Sequence, residues 1–183
     1  MLTQRQLFLR HVAQTSDAPL LLEIERAEGV YLFDKNGQAL IDLISGISVS
    51  SLGHGNPAVI EAIKAQSEKH LHLMVYGELV QSPQVELAHQ LCSLLPSHLD
   101  SVYFVNSGSE AVEGALKLAK RFTGRKSVIA MKQAYHGSTH GALSLMDAPE
   151  YREKFGPLLP HIGFVSFNDL AGLSLITEET AAV

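Results

Sequence analysis

The chain has 183 residues, of which 46% are hydrophobic, with a net charge of −5 and a sequence pI near 6.0. That length can bury one substantial core and suits one domain, or one domain with an appendage. The charge balance lacks the basic surplus of a nucleic-acid partner, no apolar run reaches transmembrane length, and the start Met1-Leu2-Thr3-Gln4-Arg5 carries no apolar signal core, so a cytoplasmic protein is expected. Cys92 is the sole cysteine, which excludes a disulfide within the chain, and its place on the apolar side of an expected helix predicts buried packing.

Residues 3 to 14 carry Leu7, Phe8 and Val12 as a modest apolar stripe and are read as a short helix. Val30-Tyr31-Leu32-Phe33 and Ala39-Leu40-Ile41-Asp42-Leu43 flank Asp34-Lys35-Asn36-Gly37, where the Asn-Gly pair tolerates the positive φ of a tight turn, so a β-hairpin is predicted. Ser45 to Gly55 is rich in glycine and serine and reads as irregular backbone, with His54 between two glycines. Asn56 and Pro57 then supply an N-cap and a first-turn proline for a helix whose apolar side holds Val59, Ile60 and Ile63. Ser82 and Pro83 repeat that signal, ahead of Val85, Ala88, Leu91, Cys92 and Leu95 on one helical face, with a stop at Pro96.

Val102-Tyr103-Phe104-Val105 is a short apolar, aromatic and β-branched run that breaks at Asn106-Ser107-Gly108-Ser109 and resumes with Val112, Ala115, Leu116, Ala119 and Phe122 at helical spacing. Strand, tight turn and helix are expected. Gly108 has no Cβ to obstruct a close approach, and the amides of Gly108 and Ser109 at a helix start suit an anion such as a phosphate. Ser107 and Glu110 also have capping-box spacing, which satisfies helix amides without any ligand. The two readings stay open and are compatible, because a helix start has about four unpaired donors. Glu113 stands where a Walker motif requires glycine, and neither the three spaced glycines of a dinucleotide site nor a Gly-x-Ser-x-Gly elbow is present.

Thr123-Gly124-Arg125 closes that helix, Ser127 to Met131 reads as a further strand, and the pattern predicts a parallel crossover unit of an α/β fold. Binding loops then fall at carboxyl ends of strands, which brings Ser107 to Ser109 and Tyr135-His136-Gly137 to one edge. A third strand is expected at Ile162 to Phe167, followed by a polar, weakly helical stretch and a new apolar run at Thr180 to Val183 that suggests a truncated chain. His136 and His140 have zinc-ligand spacing, but nothing nearby completes a metal site, and no metal is expected. The Tyr135 ring could wall an aromatic ligand, while Lys117, Lys120 and Lys126 suit a solvated helix face, paired with glutamates such as Glu113.

With these residues assembled, the chain resembles the class III aminotransferases, pyridoxal-phosphate enzymes of fold type I (the aspartate-aminotransferase-like fold) that include the acetylornithine, ornithine and 4-aminobutyrate transaminases. The resemblance rests on Asp42-Leu43-Ile44-Ser45-Gly46-Ile47 with Leu52-Gly53-His54, on Asn106 to Glu113 with Leu116-Lys117-Leu118-Ala119-Lys120, and on Tyr135-His136-Gly137 ahead of Leu158-Leu159-Pro160. It implies an amino-terminal portion of such an enzyme. Residues 1–55 would be a hairpin-bearing part of the small domain, and residues 56–183 the first part of a mixed-sheet, cofactor-binding large domain, incomplete at its carboxyl end.

Carried over by position, the resemblance implies that Gly108 and Ser109 hold the phosphate of pyridoxal 5′-phosphate with Ser107 shaping the turn, that Tyr135 stacks on the pyridine ring, and that His136 neighbours it. Ser45, Gly46, Ile47 and Ser138 would lie on the substrate side. The implied activity is transfer of an amino group from an amino acid or other amine to a 2-oxo acid, by a homodimer. In that family the lysine that carries the cofactor and the aspartate that pairs with its ring nitrogen lie in later motifs, so this chain by itself is not expected to transaminate and offers no catalytic residue. Relatives of those three specificities commonly have an arginine after the glycine matched by Gly137; here Ser138 stands there and cannot clasp a carboxylate bidentately. Ser138 and Tyr76 are the positions to probe for donor choice. The alternative is a noncatalytic α/β module that binds a phosphate ligand through the same glycine turn.

Overall fold

A computed structural model describes residues 2–74 and 77–183. Tyr76 therefore lies outside the described residues. Contacts divide the chain into two compact units, Met1–Val80 and Gln81–Val183, and the boundary expected near Gly55 falls within the first of them.

The first unit opens with α1 (Gln4–His11), where Thr3 and Gln6 form a reciprocal capping box: the Thr3 hydroxyl accepts from the Gln6 amide at 3.2 Å, and Gln6 Oε1 accepts from the Thr3 amide at 2.9 Å. Strands β1 (Ile24–Glu28), β2 (Tyr31–Asp34) and β3 (Ala39–Ile41) form an antiparallel sheet in that order. The expected hairpin is β2–β3, registered Tyr31 to Ile41 and Phe33 to Ala39. Its turn is held by Asp34, whose carboxylate accepts the amides of Asn36 and Gln38, both at 2.8 Å, while Gly37 takes a φ of 79°. β1 was not expected, because Ile24-Glu25-Arg26-Ala27-Glu28 is mostly charged and has weak strand propensity; pairing with the free edge of β2 decides its conformation.

The glycine- and serine-rich stretch contains the one-turn α2 (Ser45–Ser48), in which Ser45, Gly46, Ile47 and Ser48 all have φ between 51° and 63°. Three of the four are not glycine, so the turn holds left-handed backbone where L residues disfavour it, at roughly 1–2 kcal/mol per residue. α3 (Pro57–Lys69) starts as expected, with Asn56 Oδ1 accepting the Ala58 amide at 3.0 Å and Pro57 in the first turn.

The second unit begins with α4 (Ser82–Leu94). Its apolar face was expected to be buried, yet Val85, Leu91 and Leu95 are 51%, 38% and 47% exposed and Cys92 is only half-buried. Helical periodicity marks which side can pack, and does not supply the surface that packs on it. The strand expected at Val102 to Val105 does not form: no ladder includes it among the described residues, and Tyr103 is 79% exposed. A strand needs a partner strand alongside it as well as suitable side chains. β4 (Ser127–Met131) has both edges taken by β5 (Ile162–Val165) and β6 (Thr180–Ala182), each parallel to it.

The parallel crossover therefore runs from β4 through α6 (His140–Ser144) and α7 (Pro149–Arg152) to β5, and does not involve residues 102–105. A short 3₁₀ turn at Glu153–Phe155 ends this crossover, and a second at Ala171–Leu175 leads towards β6. α5 (Gly108–Thr123) lays Val112 and Leu116 on a core shared with Val128 and Ala130 of β4, Leu145, Leu159, Ile162, Phe164 and Ala182. Burying a leucine such as Leu116, 7% exposed, contributes about 2 kcal/mol. Gly124, at a φ of 70°, closes α5 in the left-handed cap expected of it.

Candidate functional site

The turn at the head of α5 is built as the spacing suggested, with one change. Ser107 is extended and its hydroxyl accepts the Glu110 amide at 3.2 Å, which is one limb of a capping box. The Glu110 carboxylate does not return to the Ser107 amide; it accepts the amide of Asn106 at 2.7 Å and its side-chain nitrogen at 3.2 Å. The Ala111 amide bonds to the Ser107 carbonyl at 3.1 Å. This leaves the amides of Gly108 and Ser109 without a partner among the described residues, at the positive end of a sixteen-residue helix. A Cβ added to Gly108 would meet no heavy atom within 4 Å.

The loop that follows β4 is brought against this turn. Gln133 adopts a φ of 59°, and its amide donates to Asp147 Oδ1 at 2.7 Å, which folds the chain back as it leaves the strand. Gly137 is buried and takes a φ of 122°; a Cβ there would stand 2.0 Å from Ser109 Oγ and 3.1 Å from Ser109 Cα. Only glycine permits that approach. Gly137 and Ser109 thus bring the loop and the turn together, but not by the strand-end argument, since residues 102–105 form no strand and only the loop after β4 leaves a strand end. Tyr135 is 72% exposed and His136 half-buried, and neither ring makes a hydrogen bond among the described residues. Ser138 is exposed. His140 Nε2 is engaged with the Pro157 carbonyl at 3.0 Å.

Two groups to which sequence reading gave no part in the site hold its segments in place. Glu113, expected to pair with lysines, instead turns its carboxylate to the head of α6: Oε1 accepts the Gly141 amide at 2.8 Å and the Ala142 amide at 3.3 Å. The Thr139 hydroxyl, ahead of the two amides, makes this carboxyl titrate below the ordinary carboxylate range, against the opposing effect of burial. In the first unit, Asp42 Oδ2 bonds His54 Nε2 at 2.8 Å while Oδ1 accepts the Ser45 amide at 2.8 Å and the Ile44 amide at 3.1 Å. The His54 hydrogen bond is the chief reason that the Asp42 carboxyl titrates below its usual range. Asp42 and His54 therefore fasten the segment that carries Ser45, Gly46 and Ile47. The sequence signal for Glu113 was the matched spacing of Ser109 and Glu113 with Gly137 and Gly141, four residues in each case.

The family profile described as aminotransferase class-III matches residues 12–182. The chain is 41% identical over 175 residues to the acetylornithine aminotransferase of Archaeoglobus fulgidus, covering 95% of this chain and 45% of that protein. It superposes with a TM-score of 0.87 and 29% identity on the adenosylmethionine-8-amino-7-oxononanoate aminotransferase of Methanocaldococcus jannaschii, over 97% of this chain and 45% of that one. The ornithine aminotransferase of Toxoplasma gondii, whose structure has partial occupancy of PLP at its active site, aligns with a TM-score of 0.80 and 27% identity over 96% of this chain and 42% of that one. The chain thus spans less than half the length of the relatives it matches.

Proposed function

Because the chain belongs to the class-III aminotransferases, we propose that it forms part of an enzyme that moves an amino group from an amino acid or other amine to a 2-oxo acid with pyridoxal 5′-phosphate. Its fold is that of the fold type I transferases, of which it carries the first part. The observation that carries the proposal is the pair of amides at Gly108 and Ser109 without a partner among the described residues, with open space over Gly108 and the loop of Gly137 packed against the same turn.

These residues fit the cofactor. A phosphate dianion suits two free amides at the positive end of α5, with the Ser109 hydroxyl as a further donor and Ser107 fixing the cap. Tyr135, largely exposed beside this turn, offers a ring face to a flat heterocycle, with His136 next to it. When bound, pyridoxal phosphate supplies the electron sink that lets the amine carbon give up a proton. The part played by this chain is to bind and orient. Ser45, Gly46, Ile47 and Ser138 are assigned to the substrate side, the first three on a turn whose backbone is fixed by Asp42 and His54. The relative named as an acetylornithine aminotransferase supports an amino-acid-derived donor, and Ser138 leaves its carboxylate without the arginine clasp that the resemblance leads one to look for. The same reading makes the enzyme a cytoplasmic homodimer; among the described residues no helix is long and apolar enough to cross a membrane.

The test is titration of the 183-residue chain with pyridoxine 5′-phosphate, which has the ring and phosphate without the reactive aldehyde, followed by amide NMR. Expected are reversible shifts at Gly108, Ser109 and Tyr135, lost in Gly108→Val. Binding that ignores Gly108→Val overturns the assignment. Phosphate-dependent shifts at Gly108 and Ser109 with no contribution from the ring favour the simple phosphate-binding module.

A further inference from the structure

The loop after β4 meets α5 at two places, and the two are in register. Gly137 packs on Ser109, and four residues later Gly141 packs on Glu113, itself four residues beyond Ser109, so that both contacts lie on one face of the helix. The second contact is as close as the first: a Cβ on Gly141 would come within 2.2 Å of Glu113 Oε2. It is also polar and directional, because Glu113 Oε1 takes the amides of Gly141 and Ala142, at the head of a helix whose residues Gly141 to Ser144 are all buried. Ser144 continues the chain of contacts, its hydroxyl donating to the His140 carbonyl at 2.7 Å and accepting the Leu159 amide at 2.9 Å.

We propose that Glu113 is a positioning residue for the cofactor site: by clamping the head of α6 to α5, it sets the height at which Tyr135 and His136 stand over the Gly108-Ser109 turn. The inference rests on the reading of that turn as the phosphate cradle. Glu113 touches neither phosphate nor ring; it governs how well a ligand that needs both the turn and the Tyr135 loop is matched. A ligand that needs the turn alone does not depend on it.

The experiment compares two probes on the 183-residue chain, inorganic phosphate and pyridoxine 5′-phosphate, with amide hydrogen exchange as a readout independent of activity. In Glu113→Gln, whose amide oxygen still accepts but without charge, exchange at Gly141 and Ala142 is expected to rise by about tenfold, the loss of charge assistance in these hydrogen bonds. Pyridoxine 5′-phosphate should weaken by about fivefold or more, while phosphate affinity stays within about twofold. Should Glu113→Gln fail to fold, Thr139→Val, which removes the hydroxyl donor and keeps the shape, is expected to give the same selective loss. Equal loss of both probes, or no loss of either, in the folded variant overturns the proposal. If the unsubstituted chain binds neither probe, or Gly108→Val binds both as well as it does, the cradle itself is wrong and the inference falls with it; unchanged pyridoxine 5′-phosphate binding in Glu113→Gln with loss in Gly108→Val sinks the Glu113 role alone.

Discussion

Gly137→Ala tests the closest approach in the second unit. The added Cβ would lie 2.0 Å from Ser109 Oγ, 2.8 Å from Ser109 Cβ and 3.1 Å from Ser109 Cα. Rotating the serine hydroxyl relieves the first contact only; the other two belong to atoms fixed by the α5 backbone. Carbon pairs rest at about 3.5–4.0 Å, so the Cβ pair is short by roughly 0.7 Å and the loop must lift from the helix. Overpacking of this kind costs about 1–3 kcal/mol, and alanine at a φ of 122° adds a backbone penalty of about 1–3 kcal/mol. A loss of roughly 3–4 kcal/mol follows from the two together, which in urea moves the midpoint down by about 2 M at a slope near 2 kcal/mol per molar. Unfolding followed by circular dichroism measures it. Ser109→Gly in the same chain removes two of the three contacts, so the double variant, referenced to Ser109→Gly alone, should recover about half of the loss, leaving the backbone share. A loss below about 0.5 kcal/mol in Gly137→Ala, the range of an unremarkable surface change, or no recovery in the double variant, refutes the close-contact argument.

Gly108→Val should leave the urea midpoint nearly unchanged, since no heavy atom lies within 4 Å of the new Cβ, yet abolish phosphate-dependent NMR shifts at the α5 head. Ser107→Ala removes the acceptor for the Glu110 amide and should cost about 1 kcal/mol in the same denaturation assay. Glu113 is held below its ordinary value of 4.5, so the unfolded chain takes up a proton there before the folded one does. Its contribution is complete above that ordinary range and is lost as pH falls through the lower, folded value. Acid denaturation of Glu113→Gln should therefore show a flatter limb as pH falls from the ordinary value to the lower, folded one, and an unchanged limb would contradict the assigned hydrogen bonds. Leu116→Ala, in the core with Val128, Ala130 and Leu145, should cost about 2–5 kcal/mol.

What could be read in the amino-acid order was whatever short-range chemistry decides. Asn36-Gly37 specified the hairpin, Asn56-Pro57 the start of α3, Gly124 the end of α5, and Ser107 its beginning, because in each case the deciding contacts lie within four residues. Residues 102–105 have the side chains of a strand yet pair with no strand among the described residues, and β1 has few of them and joins one. Pairing is a property of what stands alongside. The candidate site divides in the same manner: the head of α5 was legible, whereas the partner of Glu113 sits 28 residues away in the chain, and local spacing favoured the nearby lysines. The link from Asp42 to His54 spans twelve residues, and nothing in either neighbourhood announced it.

Ser138 lies between the two clamped glycines, exposed and bonded to no described side chain, while its neighbours carry the mechanical duty. Evolution, or a protein engineer, is thus offered a display position: saturation mutagenesis at this one codon should yield proteins that scarcely differ in how they melt.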